Sequence, residues 1–188
     1  SMLPPIAIQR LYAYEGPNIF GPQPGVLLRA RCDRDRADRV RAAIKDGAQF
    51  IGLVIAYLEV TARSAGEGYL VAASFATGAP QLGAELCAYV VAGIDAEARG
   101  DYEWDRDGPL FALQARRRAE ALPVAALQLL AEAQRRNLPG FVRADGQLQL
   151  GYGARGWSCA LAPLRERGAV MPSPPWERIG RIPIVAVT

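Results

Sequence analysis

Two groups of side chains in this sequence have types and spacings that are suited to chemistry. Tyr152 and Arg155 follow a predicted strand end, where a phenol and a guanidinium can form a small polar group that faces a ligand. Glu59 lies in an apolar segment, with Arg63 four residues later. A buried carboxylate must find a partner, and residues four apart are neighbours on a helix. We therefore interpret Glu59 and Arg63 as a buried structural ion pair, with a ligand-binding role as the alternative.

The most restrictive feature of the composition is that the 188 residues include no histidine. Without imidazole, the chain has no Ser-His-Asp triad, no histidine-based zinc site and no histidine general base near neutral pH. Catalysis would have to use carboxylates, cysteine, tyrosine, the single lysine or a borrowed cofactor. We therefore expect a binding protein rather than an enzyme, and we assign no catalytic residue.

Neither a metal nor a cofactor is expected from the loop motifs. In the acidic segment 100–108, carboxylate residues alternate with other residues, as they do in a cation-binding loop. The segment lacks the glycine and the closing glutamate of an EF-hand loop. We interpret it as a solvated loop. Gly151-Tyr152-Gly153 and Gly16-Pro17-Asn18 lack the glycine spacing and the strand–helix context of nucleotide-binding loops.

Arginine dominates the positive charge of the chain. Lys45 is the only lysine among 22 basic residues, which are balanced by 19 acidic ones. Arginine suits bidentate contacts with carboxylate and phosphate, but a GC-rich genome produces the same composition, and we regard that as the simpler explanation. A net charge of +3 is too small to indicate a nucleic-acid partner.

The cysteines indicate a reducing compartment. Cys32, Cys87 and Cys159 are odd in number, far apart and without a CxxC motif, which is typical of buried thiols in such a compartment. We therefore expect a cytoplasmic protein. No apolar run reaches the roughly 18–20 residues that span a bilayer, so no membrane partner is expected.

Turn residues and apolar periodicity divide the chain into short strands and paired helices. The predicted strands are 6–14, 26–32, 69–75, 140–143, 148–150 and 182–187. The predicted helices run from Asp33 or Asp35 to about Asp46, where Gly47 interrupts, and over 50–64, 80–98, 110–121 and 124–137. Strands joined by short turns, with helices in consecutive pairs, predict an α+β fold in which an antiparallel sheet and helices pack in layers.

Two stretches of the chain carry short motifs in a recognisable order. The first is Gly16-Pro17-Asn18-Ile19-Phe20, which follows a predicted strand. The second lies within 123–162, where a helix ends in a Leu-Pro turn and is followed by Leu148-Gln149-Leu150-Gly151-Tyr152-Gly153. Together they resemble the N-terminal domain of cyanophycin synthetases, over roughly residues 6–162.

The resemblance implies an altered zinc-binding helix. Some members of that family carry a His-x-x-Glu-His helix, in which two imidazoles hold zinc while the glutamate acts on water. Aligned on Glu59, these positions fall on Ile51, Val54 and Ile55. We therefore expect the helix 50–64 to keep its packing without its zinc chemistry. The synthetases continue into ATP-grasp and Mur-ligase-like domains, and we expect a stand-alone relative that is not a complete ligase.

On this resemblance, we expect one α+β domain over residues 1–162 and a Pro/Gly-rich C-terminal extension over 163–188. The expected function is non-catalytic: to hold an anionic, peptide-like or glutamate-rich poly-amino-acid molecule, or to dock onto a separate ATP-dependent ligase. The implied ligand-binding residues are Asn18, Arg143, Tyr152 and Arg155. Their amide, phenol and guanidinium groups suit a peptide backbone and carboxylates.

Two other classes of function stay open. A histidine-free enzyme of cofactor assembly would act on a glutamate-rich tail through Glu59 and Tyr152, and it predicts a deep polar pocket around Glu59. A purely structural homo-oligomer predicts an exposed apolar patch, on the helix between Leu82 and Ile94 or around Trp176.

Overall fold

The computed structural model describes residues 3–16 and 23–180 of the chain. Contacts between residues divide the chain into two units, Ser1–Glu120 and Ala121–Thr188. Helices and antiparallel sheets occur together, so the fold is α+β, as predicted. The division falls after residue 120, whereas the sequence analysis placed its boundary after residue 162.

Four antiparallel strands form the sheet of the first unit, in the order β1-β2-β4-β3. They are β1 (Ile6–Tyr14), β2 (Gly25–Cys32), β3 (Ile55–Ala65) and β4 (Gly68–Thr77). β1 has the predicted bounds, and β2 pairs with it in the predicted antiparallel direction. In β4, buried and half-buried residues alternate from Val71 to Thr77, as expected for a sheet that is covered on one face.

Three helices cover that face or pack beside it. They are α1 (Ala37–Ile51), α2 (Pro80–Arg99) and α3 (Asp107–Glu120). α1 and α2 pack on the sheet and on each other, and α3 packs on both helices. Between the layers lies a core of aliphatic side chains, each of which contributes about 1.5–3 kcal/mol on burial. Its members include Leu28, Val40, Ile44, Val71, Leu82, Leu86 and Ile94. The opposite face, which we call the uncovered face, carries the exposed residues Arg10, Arg29 and Arg63, although Leu27 on the same face is buried.

Gly47 lies inside α1 and does not interrupt it, contrary to prediction. The helix continues to Ile51 and ends at Gly52, whose left-handed backbone (φ 75°) lets its N–H donate to the carbonyls of Ala48 and Gln49. A Cβ atom at Gly47 would lie 2.7 Å from Cδ1 of Leu86. This glycine is therefore needed for close packing of α1 on α2 rather than for a turn.

The prediction of a helix over residues 50–64 is wrong, because the segment contains the end of α1 and most of strand β3. A β-bulge lies between Ala56 and Glu59, where Tyr57 has a φ of 56° and is 80% exposed. The extra residue interrupts the two-residue alternation of the strand. Apolar residues therefore fall on both sides of the segment, and in sequence they imitate a helix that is apolar all round.

The second unit combines helix α4 (Val124–Arg135) with a three-stranded antiparallel sheet. Its strands are β5 (Gly140–Val142), β6 (Gln147–Leu150) and β7 (Trp157–Ala160). The helix and the β5–β6 hairpin, with its turn at Asp145 and Gly146, agree with the prediction, whereas β7 was not predicted. The strand predicted over 182–187 lies outside the described residues.

Residues after β7 contribute to the core of the second unit. Leu150 of β6 and Ala133 of α4 are fully buried in a cluster that also contains Ile179, with Trp176 packed against it. A Cβ atom at Gly151 would lie 2.6 Å from Cγ2 of Ile179, so the chain approaches very closely there. The described part of the predicted C-terminal extension therefore belongs to this core.

Candidate functional site

The three predicted ligand-binding residues that the structure describes do not line one cavity. Tyr152 follows β6, and its ring centroid lies 5.7 Å from that of Phe141. It lines an open cavity of about 800 Å³ together with residues of α4. Arg155 lines a different cavity, of about 470 Å³, and its side chain packs against Gly180. Asn18 lies outside the described residues.

Arg143 lies at the opposite end of the β5–β6 hairpin from Tyr152. Its backbone N–H donates to the carbonyl of Gln147 at 2.8 Å, and its Nη2 donates to Oδ2 of Asp145 at 2.7 Å. Arg143 is therefore paired locally, and it lines neither the cavity that Tyr152 lines nor the one that Arg155 lines.

The structure brings together four arginines, of which only Arg63 was singled out from the sequence, as the partner of Glu59. Arg29 and Arg31 alternate in β2 with Leu28 and Ala30, which are buried in the core beneath the helices. Because successive side chains of a strand point to opposite faces, both arginines project from the uncovered face of the sheet.

Two more arginines project from the same face. Arg10 of β1 lies directly opposite Arg29, and Arg63 of β3 lies opposite Leu70, which in turn lies opposite Arg31. Directly opposite residues share one face of a sheet. We call the four residues Arg10, Arg29, Arg31 and Arg63 the arginine face.

Tyrosines border the arginine face along β1. Tyr12 lies opposite Leu27 and Tyr14 lies opposite Gly25, so both project from the uncovered side. Their ring centroids are 6.1 Å apart, with the planes tilted by 35°. Nη1 of Arg10 donates to Oη of Tyr12 at 3.5 Å. Two flat amphipathic rings therefore lie beside the cations.

The arginine face has an excess of positive charge. Glu59 is the only carboxylate in strands β1–β4, all of whose residues the structure describes. Several other arginines of this unit are paired with carboxylates: Nε of Arg36 lies 2.9 Å from Oδ1 of Asp33, and the hydrogen bond from Arg36 lowers the pKa of that carboxyl. The ion pairs of the described residues include no member of the arginine face.

This arrangement is unfavourable without a ligand. Like charges directly opposite each other destabilise a sheet, and Arg10 faces Arg29 in this way. Guanidinium groups bind carboxylate and phosphate through paired, charge-assisted hydrogen bonds. The guanidinium groups of the face are therefore of a type suited to carboxylate or phosphate.

A signal for this face was present in the sequence. In Leu28-Arg29-Ala30-Arg31-Cys32, charged and apolar residues alternate, and this pattern is typical of a half-exposed strand. The sequence analysis attributed the arginines to genome composition instead. The pairing of Arg10 with Arg29 depends on a register shift between Ile8 and Arg10, for which the local pattern gives no signal.

Comparison with protein families gives a match over residues 5–188, to the family described as "Domain of unknown function (DUF4938)". The chain belongs to the DUF4938 family. Its match covers residues of both units. Comparison with curated proteins gave no match. Membership of DUF4938 does not test the resemblance to cyanophycin synthetases, which stays a prediction.

In this DUF4938 chain, Glu59 and Arg63 do not form the predicted buried ion pair. Both residues are exposed on β3, and four residues of an extended strand span roughly 13 Å. The positions aligned with a zinc-binding helix are also separated: Ile51 is buried at the end of α1, Val54 is 76% exposed, and Ile55 begins β3. The prediction that these residues share one helix face is therefore wrong.

The acidic loop of the DUF4938 chain uses its carboxylates locally. Oδ1 of Asp101 accepts from the N–H of Glu103 at 3.1 Å, and Oδ1 of Asp105 accepts from the N–H of Gly108 at 3.0 Å. Among the described residues, no group of three carboxylate or thiol side chains is arranged to hold a metal ion. The loop therefore shapes the start of α3.

The cysteines of the DUF4938 chain are not activated nucleophiles. Burial raises the pKa of Cys32 to about 11 and that of Cys87 to about 12, and it also raises the pKa of Cys159. These thiols are protonated at neutral pH, and buried protonated thiols are inert. The helices that the structure describes are too short or too polar to cross a membrane.

Proposed function

We propose that this protein is a non-catalytic binding protein whose arginine face holds an extended anionic peptide-like chain, of the glutamate-rich poly-amino-acid class. The observation that carries the proposal is the direct opposition of Arg10 and Arg29 on the uncovered face. This opposition costs stability, and a bound carboxylate offsets the cost by pairing with both cations.

The spacing of the cations suits an extended polymer. Arg29 and Arg31 are two residues apart on one strand, which corresponds to about 6.6 Å. Alternate side chains of an extended glutamate chain repeat at the same distance. Arg31 and Arg63 are separated by β4, and two strand spacings amount to about 9.6 Å. The flexible side chains of glutamate and arginine together span such a gap.

The outward residues of β4 leave room for a chain in part of the face. Ala72, opposite Arg29, and Ser74, opposite Glu59, are small, whereas Leu70 lies between Arg31 and Arg63. A peptide over Ala72 has Arg29 and Arg31 on one side, and Arg63 together with the single carboxylate of Glu59 on the other. The bordering tyrosines offer apolar surface for the methylene groups of glutamate.

The size of the charged surface favours a peptide over a nucleic acid. Nucleic-acid binding depends on a broad basic footprint that neutralises many phosphates, whereas this face has four cations in a chain of net charge +3. Some arginines on the helices of the unit are paired with carboxylates, as Arg39 is with Glu97 and Arg99 is with Asp95.

The two rival functions lack the feature that each requires. Glu59 is exposed on β3 and lines none of the described cavities, so the deep polar pocket of a cofactor-assembly enzyme has no support. Leu82, Leu86 and Ile94 of α2 are buried in the core of their own unit, and Trp176 packs against Ile179. The patches expected of a structural oligomer are therefore already covered.

Calorimetric titration with poly-L-glutamate tests the proposal. We expect measurable binding that weakens as salt is added, because exposed charge pairs are screened. The double variant Arg10→Ala/Arg29→Ala is expected to bind roughly five- to thirtyfold more weakly, since an exposed pair contributes up to about 1 kcal/mol. The matched control is Arg143→Ala/Arg155→Ala, which removes two arginines from the second unit and should bind as the unchanged protein does.

Each other outcome counts against the proposal in a distinct way. Loss of binding only in the Arg143→Ala/Arg155→Ala variant would place the site in the second unit, as the sequence analysis expected. Equal or tighter binding of a single-stranded oligonucleotide would contradict the ligand class. Absence of poly-L-glutamate binding at low salt would contradict the function itself.

A further inference from the structure

A small cavity of about 270 Å³ lies between α1 and α2 of the first unit, beneath the acidic loop that precedes α3. Ligand sites commonly have volumes of about 300–1,000 Å³, so this cavity suits a small molecule rather than a polymer. It lies among the helices, on the opposite side of the sheet from the arginine face. It is therefore a separate site.

Trp104 forms a fixed wall of this cavity. Its ring packs on Gly93 of α2, where a Cβ atom would lie 3.1 Å from the indole, and its centroid lies 5.5 Å from that of Tyr89. Oη of Tyr89 donates to the carbonyl of Arg106 at 2.8 Å. The loop is therefore attached to α2 by ring packing and by a hydrogen bond, which positions the indole before any ligand arrives.

The cavity combines apolar walls with charged groups of both signs. Phe50 and Trp104 supply aromatic surface, while Asp46 from α1 and Arg106 from the loop supply opposite charges. Within the described part of the chain, the carboxylate of Asp46 and the guanidinium of Arg106 make no side-chain hydrogen bond or ion pair. Both charged groups are therefore available to a ligand.

A second charged pair is already satisfied at the same cavity. Nη2 of Arg39 donates to Oε2 of Glu97 at 2.7 Å. The hydrogen bond from Arg39 and the nearby positive charges, Arg106 among them, hold the pKa of Glu97 below its ordinary value. Because Arg39 is engaged by Glu97, Arg106 is the cation best placed to receive a ligand's carboxylate.

We propose that this cavity binds a free α-amino acid with an apolar or aromatic side chain. The α-carboxylate pairs with Arg106, the α-ammonium pairs with Asp46, and the side chain packs between Trp104 and Phe50. Asp46 and Arg106 are both exposed, and a zwitterion pairs with both of them at once, whereas a simple anion or cation pairs with only one. The proposal concerns a different ligand and a different face from the binding of an anionic polymer.

Titration with L-phenylalanine and L-leucine tests this inference, with tryptophan fluorescence and calorimetry as readouts. We expect saturable binding that changes the fluorescence emission of Trp104. In the Trp104→Phe variant, this change in fluorescence should be absent. The analogues 3-phenylpropionate and phenethylamine each lack one charge of the zwitterion. Each is expected to bind at least about tenfold more weakly, as expected for the loss of a charge-assisted hydrogen bond.

Variants locate the site. Asp46→Asn and Arg106→Gln are expected to weaken L-phenylalanine binding about tenfold or more. The controls are Asp38→Asn, which makes the same change on the exposed side of α1, and Arg118→Gln on the exposed side of α3. Both controls should bind as the unchanged protein does, and thermal unfolding should confirm that all four variants are folded.

Three results would overturn the inference. They are the absence of binding for both amino acids, binding of either analogue as tight as that of the zwitterion, and unchanged binding in both cavity variants. Titration of the cavity variants with poly-L-glutamate separates the two proposals, because the arginine face is unaltered in them.

Discussion

Arg10 and Arg29 lie directly opposite each other on adjacent antiparallel strands, and their side chains share the uncovered face of the sheet. Proteins generally place opposite charges at such positions, because like charges repel across a strand pair. Departures from local stability rules concentrate at functional sites. The opposition of these two residues therefore supports the proposed anionic ligand, and it makes a stability experiment informative.

Arg29→Thr is expected to raise the free energy of unfolding by about 0.5 kcal/mol, because it removes the repulsion and introduces a residue that favours strands. Urea denaturation measures the change. Arg63→Thr is the matched control, since Arg63 lies opposite Leu70 rather than another arginine. If Arg63→Thr raised the free energy of unfolding as much as Arg29→Thr does, repulsion between Arg10 and Arg29 would not be the cause.

Tyr57 carries backbone strain that substitution should relieve. Its φ of 56° is left-handed, a conformation that asparagine tolerates and β-branched residues resist. Tyr57→Asn is expected to raise the free energy of unfolding by about 0.5 kcal/mol, and Tyr57→Val to lower it by about 1 kcal/mol. Equal stabilities of the two variants in urea denaturation would contradict a left-handed Tyr57.

Gly47→Ala is expected to destabilise the first unit by about 1–2 kcal/mol. The added methyl would lie 2.7 Å from Cδ1 of Leu86, which is fully buried, and such overpacking exceeds the gain in helix propensity. Gly78→Ala is the control, because a Cβ atom there meets open space and should change stability by less than about 0.5 kcal/mol. A neutral or stabilising Gly47→Ala would contradict the close packing of α1 on α2.

The buried thiols predict a loss of stability in alkaline solution. Folding raises the pKa of Cys32 from 9.0 to about 11 and that of Cys87 from 9.0 to about 12, so the folded state holds these protons more tightly than the unfolded state does. The stabilisation is complete below the unfolded value and is lost as pH rises through the folded values. Between its unfolded and folded pKa values, each thiol lowers the free energy of unfolding by up to about 1.4 kcal/mol per pH unit.

Urea denaturation of the unchanged protein and of Cys87→Ala, at a series of pH values above 9.0, measures this slope. The variant should decline less steeply, although its absolute stability is lower because it lacks the buried side chain. Parallel declines would contradict the burial of Cys87 as a protonated thiol.

Local patterns were sufficient for elements with regular periodicity. The helix that begins at Pro80 was predictable because an apolar stripe continues through it. The strand Ile6–Tyr14 was predictable from partial alternation, in spite of the register shift after Ile8. Predictions from local patterns failed in the region of Tyr57, where a bulge shifts the alternation of the strand by one residue. Local patterns also failed at Gly47, because a glycine at this position predicts the end of a helix when its packing partner Leu86 is unknown.

The candidate sites were less predictable than the fold, because they depend on contacts between elements that are distant in sequence. Arg10 and Arg29 face each other only through the pairing of β1 with β2, and Asp46 and Arg106 line one cavity only through the packing of the loop on the helices. Tyr152 and Arg155, which are close in sequence, line different cavities. Proximity along the chain was therefore a poor guide to which residues line the same cavity.

The burial of Ile179 beside Ala133 and Leu150 has a practical consequence for shortened versions of the protein. A chain cut after residue 162 would lose this side chain and Trp176, leaving apolar surface of α4 and β6 open to water. Such a fragment should aggregate or be digested rapidly by proteases, even if its first unit stays folded. Expression of the second unit on its own therefore has to begin near Ala121 and retain the residues up to at least Gly180.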